Sequence, residues 1–164
     1  MGINYDRAKL MLRAKQRGLI FDKILTLGHQ KINITKNELK LLDREFNINL
    51  TKLELNNIID RNYSDYFFKE VFNVKEIDII DYSNYEGAKI IHDMNKPIND
   101  DMNEKYDVVI DGGSLEHIFN FPTAISNCMR MLKKSGNIFI FSMANNHCGH
   151  GFYQFSPELF YRIF

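Results

Sequence analysis

Apolar side chains recur at helical spacing near the start of the chain. Ala8, Met11 and Leu12 stand among basic residues over positions 5–17, and Gly18 offers a C-cap, which predicts an amphipathic leading helix. The period then changes, and a short apolar run at 23–27 closed by Gly28 reads as a core strand. Positions 35–46 return to helical spacing, with Thr35 as N-cap and Glu38 three residues on in a capping-box pattern. A further helix is expected over 66–72. A strand follows at 76–81, where Ile77, Ile79 and Ile80 are β-branched and Asp81 closes the run. A turn at Tyr85-Glu86-Gly87 leads to a short strand at 88–92, ended by Asp93 with Pro97 soon after.

The strongest pattern lies at 105–146, EKYDVVIDGGSLEHIFNFPTAISNCMRMLKKSGNIFIFSMANN. A buried strand at 107–110 reaches Asp111 and breaks on Gly112-Gly113. A polar loop with Glu116-His117 follows, then a helix at 122–132 with Pro122 in its first turn. A basic turn, Lys133-Lys134, closes on Gly136 before another buried strand at 137–142. A last helix is expected from Ser156-Pro157 onward. Alternating helices and nearly continuous apolar strands predict a parallel sheet covered on both faces. The strands at 76–81 and 88–92 need no long helix between them if they lie side by side at one edge. The expected fold class is α/β: a Rossmann-like open parallel sheet flanked by helices, in a single domain over 1–164.

Composition narrows the functions this domain can have. With 164 residues, 45% of them hydrophobic, the chain can bury a sizeable core. Twenty-one basic residues balance twenty-one acidic ones, so no global field draws it to nucleic acid or a membrane. Cys128 and Cys148 allow no disulfide framework and form no Cys-x-x-Cys pair, which points to free thiols in a reducing cytoplasm. The N-terminus lacks a signal-peptide apolar core, and no apolar run approaches the ~18 residues of a membrane span. A cytoplasmic protein is the expectation.

In open α/β sheets ligands bind outside the carboxyl ends of the strands, where this chain places its polar residues. Gly28 ends a strand within Leu25-Thr26-Leu27-Gly28-His29-Gln30, and without a Cβ it lets a ligand approach the backbone. The dinucleotide GxGxxG spacing is missing, and so is an obvious catalytic Tyr-Lys pair, which weakens a nicotinamide-dependent reading. Asp81 can accept ribose hydroxyl protons, or cap the turn after its strand. Asp111 with Gly112 and Gly113 can face a cationic group beside a tight turn. His117, of a residue type with an ordinary pKa of ~6.5, suits proton removal near neutral pH, although a Glu-His pair at a helix start also serves structure. The segment 144–155 collects Asn145, Asn146, His147, His150 and Tyr153 among glycines and aromatics, which suits an acceptor pocket. His147 and His150 lack a nearby carboxylate cluster, so no metal is expected.

The run of strand, short loop, Leu-Glu-His, helix, basic-Gly turn and strand from Val108 to Phe141 resembles class I S-adenosylmethionine-dependent methyltransferases. The first loop, with its single Gly28, departs from the family's acidic and glycine-rich pattern. The resemblance implies a sheet that continues with two more strands, so this chain is expected to lack the last C-terminal strands. Such a sheet would expose an edge, which favours a homo-oligomer. The resemblance further implies S-adenosyl-L-methionine as cofactor and S-adenosyl-L-homocysteine as product. Asp81 would meet the ribose, and Asp93 and Met94 the adenine. Gly28 and Asp111 would lie near the methionine end, and Gln30, Tyr82, Gly112 and Gly113 are further cofactor-binding candidates. His117 is the implied base, and Asn145, Asn146, His150 and Tyr153 are the acceptor-side candidates. The expected reaction is methylation of an oxygen or nitrogen on a small polar acceptor, such as a carbohydrate or its precursor. The alternative is a non-catalytic methyltransferase-like domain that binds the cofactor or serves as a scaffold.

Overall fold

The computed structural model describes residues 2–164, beginning with a three-residue strand, Gly2–Asn4 (β1). Asn4 then caps helix Tyr5–Gln16 (α1), its side chain accepting from the Arg7 backbone N–H at 3.0 Å. Strand Lys23–Leu27 (β2) follows, and Lys31–Asn33 (β3) pairs in parallel with β1 in a small two-stranded sheet. Neither β1 nor β3 has enough residues to show a period, and neither is anticipated from the sequence pattern.

Helix Lys36–Phe46 (α2) starts on the expected capping box, with Thr35 N–H donating to Glu38 Oε2 at 2.8 Å. A second capping box, Thr51 with Glu54, starts helix Lys52–Ile59 (α3), which periodicity alone does not single out. Asp65–Phe72 (α4) leads into strand Glu76–Asp81 (β4), and Ile90–Ile91 (β5) pairs beside it over two residues. Strand Tyr106–Asp111 (β6), helix Phe121–Met131 (α5), strand Leu132–Ile140 (β7) and helix Pro157–Ile163 (α6) complete the chain.

The main sheet has the order β5-β4-β2-β6-β7 and every pairing in it is parallel. It is the α/β, Rossmann-like open sheet that the sequence pattern predicts. All six residues of β6 are buried, as a central strand covered on both faces requires. Side chains alternate between two cores. Ile24, Val108 and Ile110 face α1, α2 and α4, where Met11, Leu39, Phe67 and Phe68 pack. Leu25, Leu27 and Val109 face α5, against Ala124, Cys128 and Met131.

Two local expectations are corrected. Lys133 and Lys134 do not form a turn; they lie within β7, whose register against β6 shifts between Tyr106 and Val108. Lys133 Nζ reaches Asp107 Oδ1 at 2.7 Å, so this lysine is tied to the neighbouring strand. Glu116 is not in an exposed polar loop: it sits fully buried in a short 3₁₀ turn, Leu115–His117. No helix among the described residues is long and apolar enough to cross a membrane.

Candidate functional site

From β2 the chain builds outward to β4 and β5, then returns to add β6 and β7 on the opposite side. The reversal lies between β2 and β6, and such a switch point opens a crevice at the strands' carboxyl ends. A cleft of about 340 Å³ lies there, within the range of small-molecule sites, ~300–1,000 Å³. Its lining includes Gly28 after β2, Asp81 and Tyr82 at the end of β4, His92, Asp93 and Met94 after β5, and Gly113, Ser114 and His117 after β6.

Gly28 has a φ of +69°, a left-handed conformation that favours glycine. A Cβ there would lie 3.4 Å from Ser114 Oγ and 3.6 Å from Asp81 Oδ2, filling the cradle between them. The next residue holds this loop in place. His29 Nδ1 donates to the Glu86 carbonyl at 2.6 Å, Nε2 lies 2.5 Å from Asp65 Oδ2, and the ring stacks on Tyr63 at 3.6 Å. Asp81 is half-buried, and its carbonyl accepts from His92 N–H at 2.9 Å, fixing the spacing between the ends of β4 and β5.

Asp93 Oδ1 accepts from the backbone and side-chain nitrogens of Asn95 at 3.0 and 2.8 Å. Chiefly the Asn95 side-chain amide, then its backbone N–H, hold the Asp93 carboxyl below its ordinary range. Met94 is buried beside it, and Asn127 of α5 locks the segment from below. Asn127 Oδ1 accepts from Ile98 N–H at 3.0 Å, and its Nδ2 donates to the Lys96 carbonyl at 2.8 Å.

Three predicted cofactor residues stand behind the cleft and not in its lining. Asp111 is fully buried, and its Oδ1 accepts from the N–H groups of Gly113, Ser114 and Leu115 at 3.2, 2.7 and 3.3 Å. Its carboxylate thus shapes the loop that carries Gly113 and Ser114. Burial pushes its pKa up to about 6, against the lowering effect of these bonds, with nearby Glu116 adding to the rise. Gln30 is buried and donates from Nε2 to the Leu27 carbonyl at 2.6 Å. Gly112 packs against this side chain: a Cβ on it would lie 1.8 Å from Gln30 Oε1.

The acceptor-side candidates divide. His150 comes to His117, Nε2 to Nε2 at 3.2 Å, across 33 residues of sequence. Asn145 and Asn146 lie exposed on the loop after β7. The Tyr153 hydroxyl donates to the Phe119 carbonyl at 2.5 Å, so it holds that loop to the chain after the 3₁₀ turn. The absence of a metal was expected because no carboxylate stood near the histidines in sequence; the fold brings Glu116 Oε1 to 4.0 Å from His150 Nε2.

Residues outside the sequence-level set also shape the site. Ser114 Oγ donates to the Leu27 carbonyl at 2.9 Å, joining the two loops of the switch point. Arg7 of α1 donates to the carbonyls of Gly2 and Gly112 at 2.6 and 3.3 Å and lies over the Phe141 ring. Burial lowers its pKa, while the charges of Asp111 and Glu116 oppose that shift. Short polar residues after glycines are the only sequence signal for Ser114, and Arg7 has none. The fold defines an α/β protein of the Rossmann-like class, with a cleft at its switch point. No family model, no curated protein and no solved structure matches the chain.

Proposed function

We propose that the protein is an S-adenosylmethionine-dependent methyltransferase acting on an oxygen or nitrogen of a small polar acceptor, such as a carbohydrate or its precursor. One observation carries this reading. A single cleft at the switch point is lined by Gly28, Asp81, Asp93, Met94 and Gly113, from the carboxyl ends of four neighbouring strands. The glycine cradle supports the fit to the cofactor, since a side chain at Gly28 would fill the space beside Asp81.

S-adenosylmethionine supplies a methyl group already activated by a positive sulfur. Asp81 would accept from the ribose hydroxyls and Asp93 from the adenine amino group, and Met94 would pack on the ring. Gly28 and Gly113 let the backbone approach the methionine end. The chain's own catalytic work is alignment and the exclusion of water, with help for a protonated nucleophile. His117 is the base for the acceptor's proton, and its Nε2 must leave the 3.2 Å contact with His150 Nε2 to take it. Calorimetric titration with S-adenosylhomocysteine tests the reading. One molecule bound per chain is expected, and a folded protein that binds none would falsify it.

A further inference from the structure

We propose that Glu116, His117 and His150 form a binding site for a divalent transition-metal ion, zinc(II) by preference, at the rim of the cleft. Among the described residues, these three offer ligand atoms that lie within 4.8 Å of one another. The two imidazole Nε2 atoms are 3.2 Å apart. Zinc–nitrogen bonds of ~2.0–2.1 Å set two ligands of one tetrahedral ion about 3.3 Å apart. Glu116 Oε1 lies 4.0 Å from His150 Nε2, and the three ligand atoms span up to 4.8 Å, so both exposed imidazole rings must turn toward the buried carboxylate, by roughly 0.7 to 1.5 Å, to close on one ion.

The histidine pair alone would read as one imidazole donating to the other. Glu116 decides between the readings. Its side chain is fully buried, and Oε2 accepts from Ser142 Oγ at 2.9 Å. Oε1 has no hydrogen-bond partner among the described residues. A buried carboxylate oxygen left unpaired costs ~1–3 kcal/mol or more, and a cation placed between it and the imidazoles removes that cost.

The ligands are held before any ion arrives. Phe152 and Tyr153 N–H groups both donate to the Glu116 carbonyl, at 2.7 and 3.3 Å, which seats the His150 loop on the 3₁₀ turn. Ser142 fixes the carboxylate from the second layer. Two imidazoles and a carboxylate leave a tetrahedral position open to water or another oxygen, the pattern of reactive zinc sites as opposed to closed structural ones. His117 also lines the cleft, so the ion borders it. On the methyl-transfer reading, on which this last step rests, the open position takes the acceptor's oxygen. His117 is then a ligand and no longer the proton acceptor.

Chelator-treated full chain is titrated with zinc chloride by calorimetry, and with cobalt(II) as a spectroscopic probe. Binding of a single ion with the intense visible bands of tetrahedral cobalt is expected. His150→Ala, His117→Ala and Glu116→Gln should each weaken zinc binding by on the order of 100-fold or more, and Ser142→Ala by roughly tenfold. His147→Ala and Cys148→Ser should leave it unchanged. His150 is exposed, so its variant tests the site without risk to the core. No zinc binding by the parent chain, equal binding by His150→Ala, or loss on Cys148→Ser or His147→Ala would overturn the site. The same preparations are titrated with S-adenosylhomocysteine. Binding of that product without zinc sinks the metal site alone, and zinc without it sinks the methyl-transfer reading alone.

Discussion

The side chain of Gln30 occupies the space that a Cβ on Gly112 would need, with Oε1 1.8 Å from that position. Gln30 cannot withdraw freely, because its Nε2 donates to the Leu27 carbonyl in a buried setting. Gly112→Ala should therefore destabilise the fold by about 1–3 kcal/mol in urea denaturation. Adding Gln30→Ala should recover part of that loss, because the two residues share one space. Strictly additive losses in the double variant would show that the two do not compete.

Asp111 makes stability depend on pH in an unusual direction. Its pKa in the folded chain is raised to about 6, chiefly by burial, from an ordinary carboxylate value of ~3.9. Between those values the folded chain holds a proton that the unfolded chain has released. The stability contributed by that proton is full below about pH 4 and is lost as pH rises through about 6. Asp111→Asn keeps an acceptor for the loop N–H groups and removes the titration. Its stability relative to the parent should rise by on the order of 2–3 kcal/mol between about pH 4 and 7. A difference that stays flat across that range would show that Asp111 titrates normally.

Much of this was legible in local patterns, and the remainder depends on contacts between distant segments. The core strands at Lys23–Leu27 and Glu76–Asp81 coincide with apolar runs, and Gly28 and Asp81, which close those runs, border the cleft. Asp111 also closes its strand, but a linear pattern does not reveal that its carboxylate turns inward to collect three N–H groups. The contact of His117 with His150 depends on how the loop after β7 folds back onto Glu116. Helix α3 was readable in principle, because Thr51 and Glu54 repeat the spacing of Thr35 and Glu38. Its eight residues make little more than two turns, too short for a helical period to stand out. Thr51→Ala should cost ~1 kcal/mol of stability if that cap contributes as caps usually do. An unchanged unfolding midpoint would mean that tertiary packing alone holds the helix.

Asp81 carries the ribose assignment and gives the cofactor reading its sharpest single-residue test. Charge-assisted hydrogen bonds contribute ~1.5–3 kcal/mol each. Asp81→Ala should weaken S-adenosylhomocysteine binding by roughly 10- to 100-fold, while the half-buried position limits any effect on folding. Wild-type affinity in this variant would remove Asp81 from the site, whatever the cleft's other residues do.

On the methyl-transfer reading, Gly151 offers a way to separate the proposed cofactor residues from the proposed acceptor residues. It adopts a φ of +71°, and a Cβ there would meet the Glu116 carbonyl oxygen at 2.7 Å. That same oxygen accepts from Phe152 and Tyr153, so Gly151→Ala should push the loop off the 3₁₀ turn and part His150 from His117. Gly28, Asp81 and Asp93 follow other strands and make no part of that contact. Hydrogen exchange at the Phe152 amide should speed up in this variant, while S-adenosylhomocysteine affinity stays close to that of the parent. Unaltered exchange would show that the loop tolerates the extra atom. A joint loss of amide protection and cofactor affinity would show that the two halves form one cooperative unit.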